Sequence, residues 1–215
     1  MLNRLRPKPD ARIDFLRGFL REPQQVGSVI PSSRFLERRL VSLAGIRGAR
    51  TVVELGPGTG GTTRAVLQQL HHSARLLTIE IDPHFVSVLQ RSSDPRLLVH
   101  HGSAANLLEI LDRYRLGLPQ AVLSGIPFST MSSSLGRRIV EQIYAALCPG
   151  GYFVAYQVRD RIAALGRPVF GAVEVLREFR NIPPVRIFRF QKAARESLQR
   201  ASQWSPLDRA NAPLG

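Results

Sequence analysis

From residue 51 onward, apolar positions fall into two kinds of run that take turns along the chain. Short, nearly unbroken apolar runs occupy 51–55, 75–80, 96–100, 120–124 and 151–158. They have the length and continuity of strands buried on both faces. Between them, 61–71, 83–91, 104–113 and 132–147 carry apolar residues at helical spacing, as with Ala65, Val66, Leu67 and Leu70. Strands and helices alternating at these lengths predict an α/β domain with a doubly wound, mostly parallel, seven-stranded sheet. The last two strands are expected at 169–179 and 185–190, joined through Asn181 and Pro184. Right-handed crossovers place the ligand of such a sheet at the C-terminal ends of its strands. The residues that carry chemistry cluster there, at 54–60, 80–82, 101–104 and 124–128.

The chain before residue 51 is patterned differently. Over 10–22, Ile13, Phe15, Leu16, Phe19 and Leu20 share one side of a helix, and Asp14, Arg17, Gly18 and Arg21 the other. A basic amphipathic helix of this kind can lie in a membrane interface or pack on the domain. Pro23, Gly27 and Pro31 then forbid a continuous helix. The polar loop they punctuate either folds over a bound ligand or serves as a linker. Ser32 or Ser33 can cap the next helix, from 34 to about 43. After 192 no apolar face is sustained. The expected organisation is a basic N-terminal segment over 1–44, a catalytic domain over 45–191 and a polar tail over 192–215.

Chemistry enters with Glu54-Leu55-Gly56-Pro57-Gly58-Thr59-Gly60, a glycine-rich turn between the first strand and its helix. Glycine admits positive φ and close approach of a ligand, and the helix start adds unpaired N–H groups. No GKS/T follows, so this is not a Walker P-loop. A second acid, Glu80, ends the next strand at roughly the 20-residue offset of a ribose-binding carboxylate. Asp82-Pro83 reads as a cap and first-turn proline for the following helix. A NAD-binding Rossmann site shares this outline; the acid before the first glycine speaks against it.

Ser124-Gly125-Ile126-Pro127-Phe128 ends the fourth strand, where the second substrate belongs. Were the second substrate an amine, a planar aromatic one, with its lone pair delocalised, would need fixed acceptors, whereas an aliphatic one would need mainly positioning. Gly125 offers no acceptor side chain, which tilts the site toward an alkyl amine. Phe128 is a candidate cation–π partner for a cationic ligand, and Tyr156 a candidate for the same role or for an ammonium hydrogen bond. Core packing is the alternative for both. Arg159, Arg180 and Arg186 are candidate phosphate ligands by charge.

Composition narrows the setting. The single cysteine, Cys148, excludes internal disulfides and a cysteine zinc cluster. His71, His72, His84, His100 and His101 show no ligand spacing, so no metal is expected. No apolar run reaches the roughly 18 residues of a transmembrane helix, and the N-terminus lacks a signal-peptide core. The net charge is +14, unevenly spread. Residues 1–50 carry eleven Lys/Arg against four Asp/Glu, 51–158 eight against seven, and 159–215 eleven against five. Basic ends around a near-neutral centre imply a polyanionic partner, either nucleic acid or anionic lipid.

The glycine loop and Glu80 resemble motif I (E-x-G-x-G-x-G) and motif II of class I S-adenosylmethionine methyltransferases. With V-G-S-V-I-P-S-S over 26–33, I-E-I-D-P, S-G-I-P-F, L-x-P-G-G, the Tyr156-Gln157 pair and N-I-P-P-x-R, residues 10–192 look like the bacterial phospholipid N-methyltransferases of the peripheral membrane type, which are similar to rRNA adenine dimethyltransferases. The resemblance implies a class I Rossmann-like fold with S-adenosylmethionine as cofactor and S-adenosylhomocysteine as product. Its expected ligands are Glu54, Gly56, Gly58 and Gly60, Glu80 and Ile81 at the ribose, Gly102, Ser103 and Ala104 at the adenine, and Ser124, with Ser28 and Ile30 covering the site. Ser103 stands where the class usually has Asp. The amine enters beside Ser124, Gly125 and Phe128, with Tyr156 nearby; the position of Gly125 is Asn in the adenine enzymes. The implied substrate is phosphatidylethanolamine, methylated toward phosphatidylcholine, with ornithine lipid or rRNA adenine as alternatives. The expected state is a monomer at the inner face of the cell membrane, held on anionic lipid by Arg12, Phe15, Arg17, Phe19 and Arg21.

Overall fold

A computed structural model describes residues 33–181 and 183–194. Helix α1 (Arg34–Ala44) starts at Ser33, whose hydroxyl accepts from the Leu36 N–H at 3.2 Å, and stops at Gly45 with φ +61°. The alternating part follows as β1 (Thr51–Leu55), α2 (Gly61–Gln69), β2 (Arg75–Glu80), α3 (Pro83–Leu89) and β3 (Leu97–His101). A 3₁₀ turn (Ala104–Asn106) leads to α4 (Leu107–Arg113), β4 (Ala121–Ser124), α5 (Ser133–Ala146) and β5 (Tyr152–Gln157). The chain closes with α6 (Arg161–Phe170), β6 (Glu174–Glu178) and β7 (Val185–Gln191).

The seven strands form one sheet in the order β3-β2-β1-β4-β5-β7-β6. The first five run parallel, and β7 lies antiparallel between β5 and β6. Side chains alternate between two apolar layers with the period of two that a strand imposes. Val53, Leu55, Leu77, Val122, Phe153, Phe188 and Phe190 face α4, α5 and α6. Val52, Leu76, Leu123, Val154 and Ile187 face α1 and α2. This double burial is why the strands read as unbroken apolar runs. Helix α1, placed by sequence pattern in the N-terminal segment, packs Leu36, Leu40, Val41 and Ala44 into the second layer and so belongs to the same body.

The sequence expectation differs from the structure at 169–179. Val169 and Phe170 close α6, Gly171 turns the chain at φ +81°, and the strand begins only at Glu174. An apolar run crossing a helix end, a turn and a strand start carries neither periodicity cleanly. The antiparallel return of β7 has a positional effect. Glu178 at the end of β6 pairs with Val185 at the start of β7, and Arg186 pairs with Gln157 at the end of β5. The connection between β6 and β7 therefore lies at the edge of the sheet where β1, β4 and β5 end.

Candidate active site

The glycine turn is shaped by both of its acids. Gly56, Gly58 and Gly60 take φ of +67°, +55° and +78°, a region costly for residues with a Cβ. A Cβ at Gly58 would meet nothing within 4 Å, so this stretch of backbone borders open space. Glu80 is almost wholly buried. One carboxylate oxygen accepts from the N–H groups of Ile81 at 2.8 Å and Asp82 at 3.0 Å, and the other from the Gly58 N–H at 3.1 Å. It thus ties the end of β2 to the glycine loop. Glu54 lies deeper, where its carboxylate accepts a 2.6 Å bond from the Thr63 hydroxyl on α2. Burial pushes the Glu54 carboxyl up to about 7, with the Thr63 bond opposing and Glu80 adding repulsion. Burial also raises Glu80, against its three backbone hydrogen bonds. Among the described residues, no lysine or arginine is hydrogen-bonded to either acid. Two desolvated carboxylates thus lie beside an open glycine turn, a setting whose chemistry favours a cationic, hydroxyl-bearing ligand.

The expected adenine side is partly present. Asp82 caps α3 through the His84 N–H at 2.7 Å, as its position predicts. Gly102 leaves room for the His100 ring, whose Nε2 would stand 2.6 Å from a Cβ there. Ser103 caps the 3₁₀ turn, its hydroxyl accepting from the Ala105 N–H at 3.3 Å. That oxygen keeps a further lone pair for a ligand. Ala104 is buried behind it and Ile81 is half-buried. His101 contacts the Ile81 carbonyl at 3.1 Å. Ser28 and Ile30 lie outside the described residues, as do Arg12, Phe15, Arg17, Phe19 and Arg21.

At the end of β4 the structure redistributes the roles expected from sequence. Ser124 is 1% exposed, and its hydroxyl accepts from the Ile126 N–H at 3.2 Å and so braces the turn after β4. Phe128 is 0% exposed and packs in the apolar layer of α4, α5 and α6, so in this structure its ring offers no face to a cation. Its apolar character wins over its π-face because the turn points it inward. Gly125 and Tyr156 are brought together. A Cβ at Gly125 would lie 2.7 Å from the Gly56 carbonyl oxygen and 2.9 Å from the Tyr156 hydroxyl. Glycine is the residue that lets the loops after β1 and β4 approach this closely.

Two further residues take part that sequence reasoning left without a role in the site. Gln157 donates from Nε2 to the Ile126 carbonyl at 2.7 Å, and its buried Oε1 has no hydrogen-bond partner. Thr63 holds Glu54. A polar residue closing an otherwise apolar strand was the available signal for Gln157. The three arginines offered as phosphate ligands divide: Arg180 pairs with Glu178 at 3.1 Å and Arg186 with Asp160 at 3.5 Å, while Arg159 is exposed at the end of β5. Among the described residues there is no group of three His, Cys, Asp or Glu side chains fit for a metal, and no helix is long and apolar enough to cross a membrane.

Known proteins are similar to this chain in sequence and fold. The ribosomal RNA adenine dimethylase family matches residues 21–146. An ornithine lipid N-methyltransferase of Singulisphaera acidiphila is 29% identical over 186 residues, covering 85% of this chain and 96% of the relative. A ribosomal RNA small subunit methyltransferase A of Leifsonia xyli is 32% identical over 146 residues, covering 64% of this chain and 49% of the relative. An O-methyltransferase from Streptomyces achromogenes, solved with S-adenosylmethionine, superposes with a TM-score of 0.60 at 17% identity, over 86% of this chain and 92% of that one. The acids and the glycine turn fit that cofactor, whose sulfonium and ammonium are cationic and whose ribose carries two hydroxyls. With fold, acid pair and family match agreeing, the chain belongs to the ribosomal RNA adenine dimethylase family and is an S-adenosylmethionine-dependent N-methyltransferase.

Proposed function

We propose that this enzyme methylates the head-group amine of a membrane lipid, with ornithine lipid as the first substrate to test and phosphatidylethanolamine, the expectation from sequence, as the second. The observation that carries this reading is the crowding at Gly125. An adenine-methylating site uses an Asn side chain there to hold a planar amine. Here a Cβ would collide with the Gly56 carbonyl and the Tyr156 hydroxyl, and backbone cannot yield cheaply. A site without that acceptor suits an amine whose nitrogen is already nucleophilic once deprotonated, and orientation then supplies most of the rate. The near full-length match to an ornithine lipid N-methyltransferase supports the same choice, and the match to the rRNA enzyme spans about half of that protein.

S-adenosylmethionine supplies an electrophilic methyl group and leaves as S-adenosylhomocysteine. Glu80 and the turn Gly56–Gly60 would hold it, Glu54 would compensate its charge, and Ser103 with Ala104 would meet the adenine. Tyr156 borders the approach of the amine. The amine nitrogen takes the methyl group with its lone pair and gives up its proton to water. The basic N-terminal helix, with Arg12, Phe15, Arg17, Phe19 and Arg21, would hold the enzyme on anionic lipid at the inner face of the membrane, while Ser28 and Ile30 would cover the cofactor.

Methyl transfer from radiolabelled S-adenosylmethionine tests the reading. Ornithine lipid vesicles, phosphatidylethanolamine vesicles and ribosomal RNA are offered in parallel. Label in ornithine lipid is the expected result. Label in phosphatidylethanolamine alone would keep the lipid amine and change the head group; label in RNA alone would overturn the proposal.

A further inference from the structure

The turn between β6 and β7 is pinned to the start of α1. Asn181, 1% exposed, accepts from the Ser33 N–H at 2.9 Å and donates to the Pro183 carbonyl at 3.1 Å. Glu178, 2% exposed, is held by Arg39 and Arg180, both at 3.1 Å. Arg39 also bonds the Arg177 carbonyl at 2.8 Å. These contacts join residues more than a hundred positions apart into one stiff corner.

What the corner displays is unusual. Phe179, between the clamped Glu178 and Arg180, is 69% exposed, the most exposed large apolar side chain among the described residues. Phe35, on the first turn of α1, is 50% exposed, with the Arg180 guanidinium 4.5 Å from its ring centre. A loose loop could fold such a side chain away; one held by buried hydrogen bonds keeps it in water. The surroundings are cationic, since Arg39 and Arg180 share a single carboxylate and Arg38 is exposed on the same helix. The corner also stands at the strand-end edge of the sheet, on the side of Gly58 and Gly125.

We propose that this corner is a second lipid-docking surface, in which Phe35 and Phe179 enter the interface of an anionic bilayer and the arginines meet its phosphates, setting the mouth of the active site against the membrane. Aromatic side chains framed by arginine suit such an interface, and each cation near an anionic surface adds attraction. The N-terminal segment of this chain is a poorer occupant, because it is itself basic: residues 1–32 hold six Lys/Arg against three Asp/Glu. The proposal rests on the lipid-substrate reading for its purpose but is measured separately.

The full chain and its Phe35→Ser, Phe179→Ser and double variants are sedimented with vesicles containing phosphatidylglycerol and with vesicles of phosphatidylcholine alone. In parallel, methyl transfer is followed to amine lipid dispersed in detergent micelles. Each single change should lower the partition onto anionic vesicles by about tenfold and leave transfer in micelles unchanged. Both positions are exposed, so folding is not at risk. The indole of a Phe179→Trp variant, in a Trp204→Phe background, should be quenched by brominated lipid. Unchanged partition, or an indole that bromine does not quench, would overturn the proposal, including the case where the N-terminal segment covers the corner. Absence of lipid methylation in micelles would instead defeat the substrate reading, with the docking result standing on its own.

Discussion

Glu54 and Glu178 are both buried glutamates at strand ends on the same edge of the sheet, and they behave in opposite ways. Glu178 has cations built in: the Arg180 side chain first, with Arg39 beside it, holds its carboxyl down at about 2. Glu54 has a threonine hydroxyl and a like-charged neighbour in Glu80, and burial lifts it to about 7. Folding has completed the electrostatics of one corner and left the other waiting. A buried acid with its partners in place is a clamp; a buried pair of acids with no cation hydrogen-bonded to them favours a cation that arrives from outside.

The largest expected effect comes from Glu80, which braces the glycine loop and is proposed to hold the cofactor. Glu80→Ala should weaken S-adenosylmethionine binding by more than about a hundredfold, since a charged acceptor and the brace of Gly58 disappear together. Calorimetric titration checks it, and ordinary affinity in that variant would break the contrast at its centre. Glu54→Gln comes next. The folded chain keeps the Glu54 proton between about 4.5 and about 7 while the unfolded chain has lost it, so stability falls as pH rises through that window. The amide removes this slope. At pH 8 it should unfold at higher denaturant than the parent, by about 3 kcal/mol, with the two converging near pH 4.5. Parallel stability curves for the two proteins would show that burial does not govern Glu54.

The smallest effect is expected at the clamp. The depressed Glu178 carboxyl contributes stability that is present above about 4.5 and lost as pH falls toward about 2. Glu178→Gln should cost about 1 kcal/mol at pH 7, a figure reduced for the solvent around Arg180, and nothing near pH 2. Urea unfolding at the two pH values measures it. A loss that persists at low pH would mean the clamp works through shape and not charge.

Much of the fold was legible because its signals are local. Short apolar runs alternating with helical ones, most of them strands buried on both faces, announce a doubly wound sheet. The Ser33 and Asp82 caps can be read from a few neighbouring residues, and so can the glycine turn. What escaped depends on distant contacts. Ser124 and Phe128 look exposed to chemistry in the string Ser-Gly-Ile-Pro-Phe, but the turn rotates both inward, one onto the backbone and one into the core. The reason for Gly125 is visible only when the Gly56 carbonyl and Tyr156 arrive from β1 and β5. The Asn181 bond to Ser33 spans 148 positions and leaves no pattern in the sequence. The misread run at 169–179 shows the same limit at the level of an element, where helix end and strand start were both too short to declare a period.

The reversed strand β7 has a consequence for how such an enzyme can diversify. In an all-parallel sheet every link between neighbouring strands must cross back over a face, and lengthening it disturbs the helix it contains. Here the sheet has one hairpin, and its turn opens at the working edge. Residues can be added to that turn beyond the pinned Asn181 while the parallel strands and their crossovers keep their register. Natural variation or engineered grafts between Asn181 and β7 therefore offer a route to new methyl acceptors at little cost to the rest of the fold.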